Sequence, residues 1–170
     1  MNLSAPELLT TEHNTTEFSC GQPTLDIWLK TCALRNQQYG FTRVLVVHDN
    51  FKVAGYYGLA PTAWMAADMP RAIRTGQSPD PVPCLLLAQL AVDRPFHGRG
   101  VGSGLLRDAL HRCLAGAGEI GGRAVVVRAI DDTAAAFYRR YGFTPSRASP
   151  LILFRSIGDV AASLAAAPSL

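Results

Sequence analysis

The sequence predicts a mixed α/β protein in which helices cover a central sheet. Three observations lead to this prediction. Apolar residues recur at helical spacing in several segments, continuous apolar runs typical of buried strands separate them, and glycines mark the junctions. The chain has 170 residues, 48% of them hydrophobic, so it can bury a core without disulfides. No apolar run approaches the ~18 residues of a membrane span, and neither such a span nor a signal peptide is expected.

The segment at 21–38 predicts the first helix, which is expected to begin after Thr24 as its N-cap. Its apolar stripe consists of Leu25, Trp28, Leu29, Cys32 and Ala33. The apolar runs at 43–48 and 52–64 predict two strands, with a hairpin turn between them.

Residues 68–76 are predicted to form a short polar helix, which would place Arg71 and Arg74 on one face. The continuous apolar run at 84–92 predicts a central strand covered on both faces. An amphipathic helix follows, and the glycines at 116–122 are expected to end it.

The last third of the sequence predicts a buried strand at 123–129 and a helix at 133–141. Asp131 or Asp132 is the expected cap of this helix. Another strand is predicted at 151–154. The elements therefore alternate as expected for a mixed sheet.

One domain is expected over residues 1–158, followed by a tail at 159–170 that frays or adds a short helix. The four cysteines lie far apart and have no zinc-ligand spacing, so free thiols in a reducing cytoplasm and no metal site are expected. The net charge of +3 excludes a polycation but permits a local phosphate-binding surface.

The most informative segment is HGRGVGSG, residues 97–104, between the central strand and a helix. Its glycines let the backbone approach a ligand closely, and the first amides of the helix have no acceptor within it. Such a junction suits a pyrophosphate. A Walker P-loop is excluded because no Gly-Lys-Ser/Thr follows. A Rossmann fingerprint is disfavoured because it would follow the first strand rather than the fourth. A coenzyme A loop is the third interpretation.

QLAVDRPFHGRGVGSGLL, residues 89–106, resembles the acetyl-CoA motif of the GCN5-related N-acetyltransferases (GNAT). The resemblance implies the GNAT fold, α/β with a mixed, mostly antiparallel central sheet and flanking helices. In the preferred register, His97 replaces the usual Gln or Arg, and Gly100 and Gly102 are the motif glycines. A second register, from Arg99 with Gly102 and Gly104, also fits. The residues thereby implied to bind acetyl-CoA are Leu90, Ala91, Val92, His97, Gly98, Arg99, Gly100, Val101, Gly102 and Ser103.

DDTAAAFYRRYGF, residues 131–143, resembles the late helix of the family, whose Ala-x-x-Phe-Tyr-x-x-x-Gly-Phe pattern places its tyrosine at Tyr138. The implied role is proton donation to the leaving thiolate. The alternative is a core aromatic residue, and Tyr141 is the second candidate. No general base stands out. This favours an α-amine, with a pKa near 7.7–8.0, over a lysine amine near 10.4.

Further motifs, among them GYYGLAP at 55–61 and PDPVP at 79–83, are similar in order to those of bacterial toxin–antitoxin acetyltransferases. The resemblance implies a toxin that acetylates the α-amino group of aminoacyl-tRNA and blocks translation. It also implies a ribbon-helix-helix antitoxin, a homodimer, DNA binding only through the antitoxin, and no membrane contact. The residues expected to meet tRNA phosphates are Lys30, Arg35, Arg71, Arg74 and Arg94.

Two other functions stay open at this point. One is an acetyltransferase of a small amine or a protein N-terminus. The other is a non-catalytic, coenzyme A-binding co-repressor module.

Overall fold

The computed structural model describes residues 2–166. Its strands are β1 (Glu7–Leu8), β2 (Arg43–Asp49), β3 (Lys52–Trp64), β4 (Val82–Val92), β5 (Ala124–Arg128), β6 (Thr144–Pro145) and β7 (Ile152–Ser156). Its α-helices are α1 (Pro23–Trp28), α2 (Leu34–Gln38), α3 (Val101–Ile120), α4 (Asp132–Arg140) and α5 (Ile157–Ala166). A π-helical segment, Leu29–Ala33, joins α1 to α2, and 3-10 helices lie at Ala66–Asp68 and Arg94–Phe96.

The seven strands form one sheet in the order β1-β2-β3-β4-β5-β7-β6. β4 and β5 run parallel, whereas the pairs β1–β2, β2–β3, β5–β7 and β6–β7 are antiparallel. The predicted fold class, a mixed and mostly antiparallel sheet with flanking helices, is therefore confirmed.

The chain divides into two compact units. The first unit contains the described residues up to Ala60 together with Ala88–Ala109. The second unit contains Pro61–Leu87 and the described residues from Leu110 onward. The strands β3 and β4 and the helix α3 each contribute residues to both units.

In the first unit, the apolar stripe of the first helix packs against the sheet as predicted. Leu29 and Ala33 are buried, and Trp28 stacks on Tyr56 with 5.9 Å between the ring centroids. The Tyr56 hydroxyl also donates a hydrogen bond to the Leu25 carbonyl oxygen at 2.7 Å. This bond and the buried stripe hold the helix on β3.

The predicted N-cap of this helix is wrong by two positions. Gln22 is the N-cap and Pro23 is the first helical residue, so that Thr24 already lies inside the helix. Proline fits the first position because its missing N–H would have no helical acceptor there.

In the second unit, the predicted helix at 68–76 is also wrong. After the 3-10 helix Ala66–Asp68, a single turn follows, in which the Pro70 carbonyl accepts from the amides of Ile73 and Arg74. Because Pro70 holds Met69 in an extended conformation, with ψ of 150°, a helix cannot run through this point.

The glycine segment at 116–122 ends α3 as predicted, and its last two glycines are the ones that do so. Gly116 and Gly118 lie within α3, which continues to Ile120 and ends at two positive-φ residues, Gly121 and Gly122. Isolated glycines weaken a helix without breaking it when packing supports both sides. The predicted cap of α4 is also confirmed, since Asp131 accepts a hydrogen bond from an amide in the first turn at 2.8 Å.

The expected tail forms a helix as far as the structure describes it. Val160 of α5 is buried, and residues 167–170 lie outside the described part of the chain. The single domain over residues 1–158 stays a prediction.

All four cysteines are free thiols, as expected. Burial raises the pKa of Cys84 to about 11 and that of Cys113 to about 12. Both are therefore protonated near neutral pH and act as core residues. Among residues 2–166, no helix is long and apolar enough to cross a membrane.

Candidate active site

The end of β4 is anchored before the glycine-rich loop begins. Asp93 is buried, its carboxylate accepts the Ser19 amide at 2.9 Å, and its own amide donates to the Ala54 carbonyl at 2.8 Å. The carboxylate thus joins two segments that lie 74 positions apart in the sequence, and it does not cap the turn that follows. The chain then makes one 3-10 turn and reaches His97.

The His97 side chain closes this turn. Its Nε2 lies 2.6 Å from the Val92 carbonyl oxygen, and since a carbonyl only accepts, the imidazole donates. The two residues are the C-cap of the turn and the last residue of β4. His97 therefore acts on the loop backbone, although the family motif has Gln or Arg at this position.

Two glycines give the loop its shape. Gly98 has φ of +73° and Gly100 has φ of +79°, a conformation that costs other residues free energy. The Gly100 carbonyl accepts the first helical bond from the Gly104 amide, and it also accepts from the Ser103 hydroxyl, both at 3.0 Å. Gly104 itself lies in α3 without positive φ. This geometry supports the register that uses Gly100.

The first turn of α3 offers an anion site. The amides of Val101, Gly102 and Ser103 precede the first helical hydrogen bond and have no acceptor within the helix. These three donors lie at the positive end of the helix dipole, and the arrangement fits a pyrophosphate. Arg99 is exposed beside them and has no ion pair among residues 2–166.

A cavity of about 270 Å³ adjoins this loop within the first unit. The N-terminal segment forms one wall and the start of α3 the other. Its lining consists of Leu3, Ser4, Pro6, Val47, Arg99, Gly100, Val101, Gly104 and Leu105. The N-terminal segment is thus part of the surroundings of the loop, which the sequence motif did not reveal.

The residues predicted to run beside the cofactor lie at the end of β4. Ala91 is buried, whereas Leu90 and Val92 are half-buried. The Val92 carbonyl already accepts from His97, so one of its two acceptor positions is occupied.

In the second unit, Tyr138 lies on the buried face of α4 and is 7% exposed. Its ring packs edge-on against Phe137 and Phe143, with centroid distances of 5.2 and 5.6 Å. Burial raises the pKa of its phenol above the usual value of 10. No described side chain or backbone group bonds its hydroxyl, yet the hydroxyl is not a buried unsatisfied atom. The ring is therefore a core residue whose oxygen still reaches the surface.

Tyr141, the second candidate, is 37% exposed and packs on Phe137 at 5.0 Å. It lies just past the end of α4, as its C-cap.

The residues predicted to contact tRNA belong to both units. Those on the first unit are Lys30, Arg35 and Arg94, and those on the second are Arg71 and Arg74. All are at least partly exposed, and none has an ion pair among residues 2–166. Arg71 and Arg74 project from a turn and not from the helix face that the sequence predicted.

Sequence reasoning missed a cluster in the first unit. Glu7, His13 and His48 carry ligand-type atoms within 4.8 Å of one another. Each histidine Nδ1 accepts a backbone amide, from Thr10 at 2.9 Å and from Phe51 at 3.0 Å, so each Nε2–H donates to Glu7, at 2.9 and 2.7 Å. If a metal ion bound Nε2, the neutral imidazole would carry its proton on Nδ1. That proton would then face the backbone amide hydrogen that Nδ1 accepts in this structure, so these hydrogen bonds oppose a metal ion on Nε2. We call this hydrogen-bonded group the N-terminal clamp.

Comparisons with known proteins agree with the fold and the loop. The sequence model of the acetyltransferase (GNAT) domain matches residues 40–145. The tRNA-acetylating toxin of Mycobacterium tuberculosis (strain ATCC 25618 / H37Rv) is 43% identical over 159 residues, which cover 94% of this chain and 95% of the relative.

Solved structures are similar over almost the whole chain. AtaT complexed with acetyl-methionyl-tRNAfMet has a TM-score of 0.87 and 24% identity, and the match covers 96% of this chain and 99% of that one. A tyrosine-to-phenylalanine mutant of the AtaT toxin, bound to the C-terminus of the antitoxin AtaR and to acetyl-CoA, has a TM-score of 0.81 and 24% identity, with 95% and 98% covered. At this identity, the likeness establishes the fold.

The glycine loop between β4 and α3 fits a pyrophosphate, and the matching family model makes the class an acyl-CoA-binding transferase. The chain belongs to the GNAT acetyltransferase family. The predicted enzyme class, an acetyl-CoA-dependent N-acetyltransferase, is thereby confirmed.

Proposed function

We propose that this protein is a toxin that transfers the acetyl group of acetyl-CoA to the α-amino group of aminoacyl-tRNA and so blocks translation. The observation that carries the proposal is the 43% identity, over nearly the whole of both chains, to a tRNA-acetylating toxin. Acetylation of a small amine or a protein N-terminus is the alternative activity, and a non-catalytic coenzyme A-binding module is the alternative without one.

The loop after β4 is the proposed acetyl-CoA site. The amides of Val101, Gly102 and Ser103 would bind the pyrophosphate, and Arg99 would supply a positive charge beside it. Gly98 and Gly100 allow the backbone to approach the phosphates without a Cβ in the way. His97 would act indirectly, because its hydrogen bond to Val92 holds the start of the loop. The backbone of Leu90 and Ala91 would pair with the pantetheine arm.

Tyr138 is the proposed general acid. When the amine attacks the thioester carbon, a C–N bond forms and the C–S bond breaks, the amine loses a proton, and the sulfur gains one. The Tyr138 phenol would donate the proton to the sulfur, the proton of the amine would pass to solvent, and solvent would reprotonate the phenolate. The feature that supports this role is the hydroxyl, which has no hydrogen-bond partner within the described chain and so is available to a ligand. The solved AtaT mutant also has a tyrosine replaced by phenylalanine.

An α-amine is the substrate that this chemistry favours. Esterification of the carboxyl group lowers the pKa of an α-amine below its usual 7.7–8.0, so a substantial share is neutral near pH 7. Such a substrate can react without a protein base, whereas a lysine amine cannot.

The partners are proposed on the same basis. Lys30, Arg35, Arg71, Arg74 and Arg94 would meet tRNA phosphates. The solved AtaT complex contains an antitoxin, AtaR, which supports a cognate antitoxin for this chain. We further propose that this antitoxin has a ribbon-helix-helix part, that DNA is bound through it, that the enzyme is a homodimer, and that it acts in the cytoplasm.

The test uses labelled acetyl-CoA with purified protein and total charged tRNA. Parallel reactions contain deacylated tRNA, a peptide mixture or small amines. The proposal expects label on charged tRNA only, with about 10²-fold slower transfer by Tyr138→Phe. Tyr141→Phe is the matched control and should keep wild-type turnover. Label on peptides or small amines alone would establish the alternative activity, and no label on any acceptor would leave the coenzyme A-binding module.

A further inference from the structure

Two aromatic side chains are largely exposed to solvent where the first helix ends. Tyr39 is 70% exposed and Phe41 is 66% exposed, and their ring centroids lie 6.3 Å apart. Neither contributes to the buried core clusters. Large exposed aromatic side chains that lie together are a recognised feature of binding surfaces.

An ordered turn holds these two rings in place. Gly40, with φ of +80°, reverses the chain between them. The Phe41 amide donates to the Asn36 carbonyl at 2.9 Å and the Gly40 amide to the Gln37 carbonyl at 3.0 Å, which closes the C-terminus of α2.

The Gln37 side chain then fixes this turn to its neighbours. Its amide nitrogen donates to the Leu9 carbonyl at 2.7 Å, and its oxygen accepts the Val44 amide at 2.8 Å. The aromatic rings are thus presented by a fixed backbone, which reduces the entropy lost on binding.

Exposed cationic side chains lie on the same helix and just beyond the turn. Lys30 and Arg35 are exposed on the same helix, and Arg43 is exposed two residues beyond Phe41. None of the three has an ion pair among residues 2–166. The single carboxylate of this helix, Asp26, accepts the Cys20 amide near the other end. Aromatic side chains and arginine are also enriched at protein interfaces, where lysine is depleted, whereas aromatics interspersed with both lysine and arginine suit single-stranded nucleic acid.

We propose that Tyr39 and Phe41 stack against the unpaired bases at the 3′ end of the aminoacyl-tRNA, while Lys30, Arg35 and Arg43 contact the phosphates. This inference rests on the proposed function. Stacking is indifferent to base identity, so the surface accepts the common 3′ end of every tRNA. A base-paired stem cannot use this surface in the same way, because its base faces are already stacked.

The test compares two RNAs and two variants in direct binding. One RNA is intact deacylated tRNA, and the other is the same tRNA without its unpaired 3′ nucleotides. The wild type should bind the intact tRNA about tenfold more tightly, and Tyr39→Ala with Phe41→Ala should bind both RNAs alike. The aromatic exchange Tyr39→Phe with Phe41→Tyr should keep the preference. Ile120→Ala, which removes an equally exposed apolar side chain of the second unit, should also keep it.

Salt dependence and oligomeric state separate this inference from its competitors. The alanine pair should leave the slope of log affinity against log salt nearly unchanged, because it removes no charge, whereas Lys30→Gln with Arg35→Gln should flatten it. If Tyr39→Ala with Phe41→Ala lost the same affinity for both RNAs, or lost none, the stacking role would be overturned. A change of oligomeric state in light scattering would assign the surface to a protein contact instead. If the wild type binds both RNAs alike and acetylates only small amines, then the proposed function fails as well.

Discussion

His97 donates a hydrogen bond from Nε2 to the Val92 carbonyl oxygen across 2.6 Å. The bond spans the five positions between the end of β4 and the start of the glycine loop. The bond closes the turn that precedes the loop, and the amides of the first turn of α3 have no acceptor within the helix.

The first prediction concerns this hydrogen bond. His97→Ala should weaken acetyl-CoA binding by about 2- to 10-fold, the range expected for one lost neutral hydrogen bond of about 0.5–1.5 kcal/mol. His97→Gln should keep most of the affinity, because its amide can donate to the same carbonyl. The measurement is the Kd of coenzyme A by calorimetry. His111→Ala is the control, since this exposed histidine has no described partner. Unchanged affinity in His97→Ala would refute the role of the bond.

The second prediction compares two glycines four positions apart. Gly100→Ala should destabilise the fold by about 1–2 kcal/mol, because alanine resists a φ of +79°. Gly104→Ala should stabilise it by about 0.5–1 kcal/mol, since its Cβ would meet nothing within 4 Å in a helix. Urea unfolding measures both changes. The register that starts at Arg99 and uses Gly104 would gain support if Gly104→Ala, and not Gly100→Ala, abolished coenzyme A binding.

The sequence could predict the parts of the molecule that depend on local spacing. The strand, glycine loop and helix around Gly100 follow from glycine positions and from apolar periodicity, and both are visible within a few residues. The Asp131 cap is likewise local. The periodicity around Arg71 and Arg74 failed because Pro70 opposes a helix more strongly than residue spacing favours one.

Contacts between distant residues could not be predicted. The N-terminal clamp joins Glu7 to His48 across 41 positions, and neither residue carries a recognisable pattern. The exposure of Tyr39 and Phe41 depends on the turn at Gly40, and the apolar stripe of the first helix does not predict the geometry of that turn. The pairing of β1 with β2 and the bridge between Asn14 and Lys52 bring the three residues of the clamp together.

The third prediction concerns the pH dependence of transfer. Burial raises the pKa of the Tyr138 phenol above 10, so the proton-donating form persists to higher pH than for a free tyrosine. The rate per neutral amine should therefore stay level between about pH 8 and 9.5 in the wild type. Rapid-quench initial rates measure it before the ester hydrolyses. A decline with an apparent pKa below 10 that disappears in Tyr138→Phe would show that the phenol is not protected by burial.

The fourth prediction addresses the turn that carries Arg71 and Arg74. Arg71→Gln with Arg74→Gln should weaken tRNA binding and reduce the salt slope by about 2, one for each lost phosphate contact. The affinity for coenzyme A should not change, since neither arginine belongs to the loop after β4. Arg139→Gln with Arg140→Gln removes the same charge from the last turn of α4 and is the matched control. An equal effect of both pairs would mean that overall charge, and not this turn, attracts the tRNA.

The fifth prediction concerns the N-terminal clamp, whose carboxylate is ionised in the folded state. Hydrogen bonds from His13 and His48 hold the pKa of Glu7 below its usual value of 4.5. A lowered folded-state pKa means that the ionised carboxylate stabilises the fold fully above the unfolded pKa, and that this contribution disappears as the pH falls through the folded pKa. Glu7→Gln should therefore have a lower Tm than the wild type at pH 6, and the difference should shrink below about pH 4.5. Thermal unfolding across this range measures it, with the exposed Glu12→Gln as control.

Because Leu3, Ser4 and Pro6 of the same segment line the cavity beside Arg99 and Gly100, Glu7→Gln should also weaken coenzyme A binding at pH 6 if the clamp positions that wall. A loss of stability with unchanged coenzyme A affinity would limit the clamp to folding.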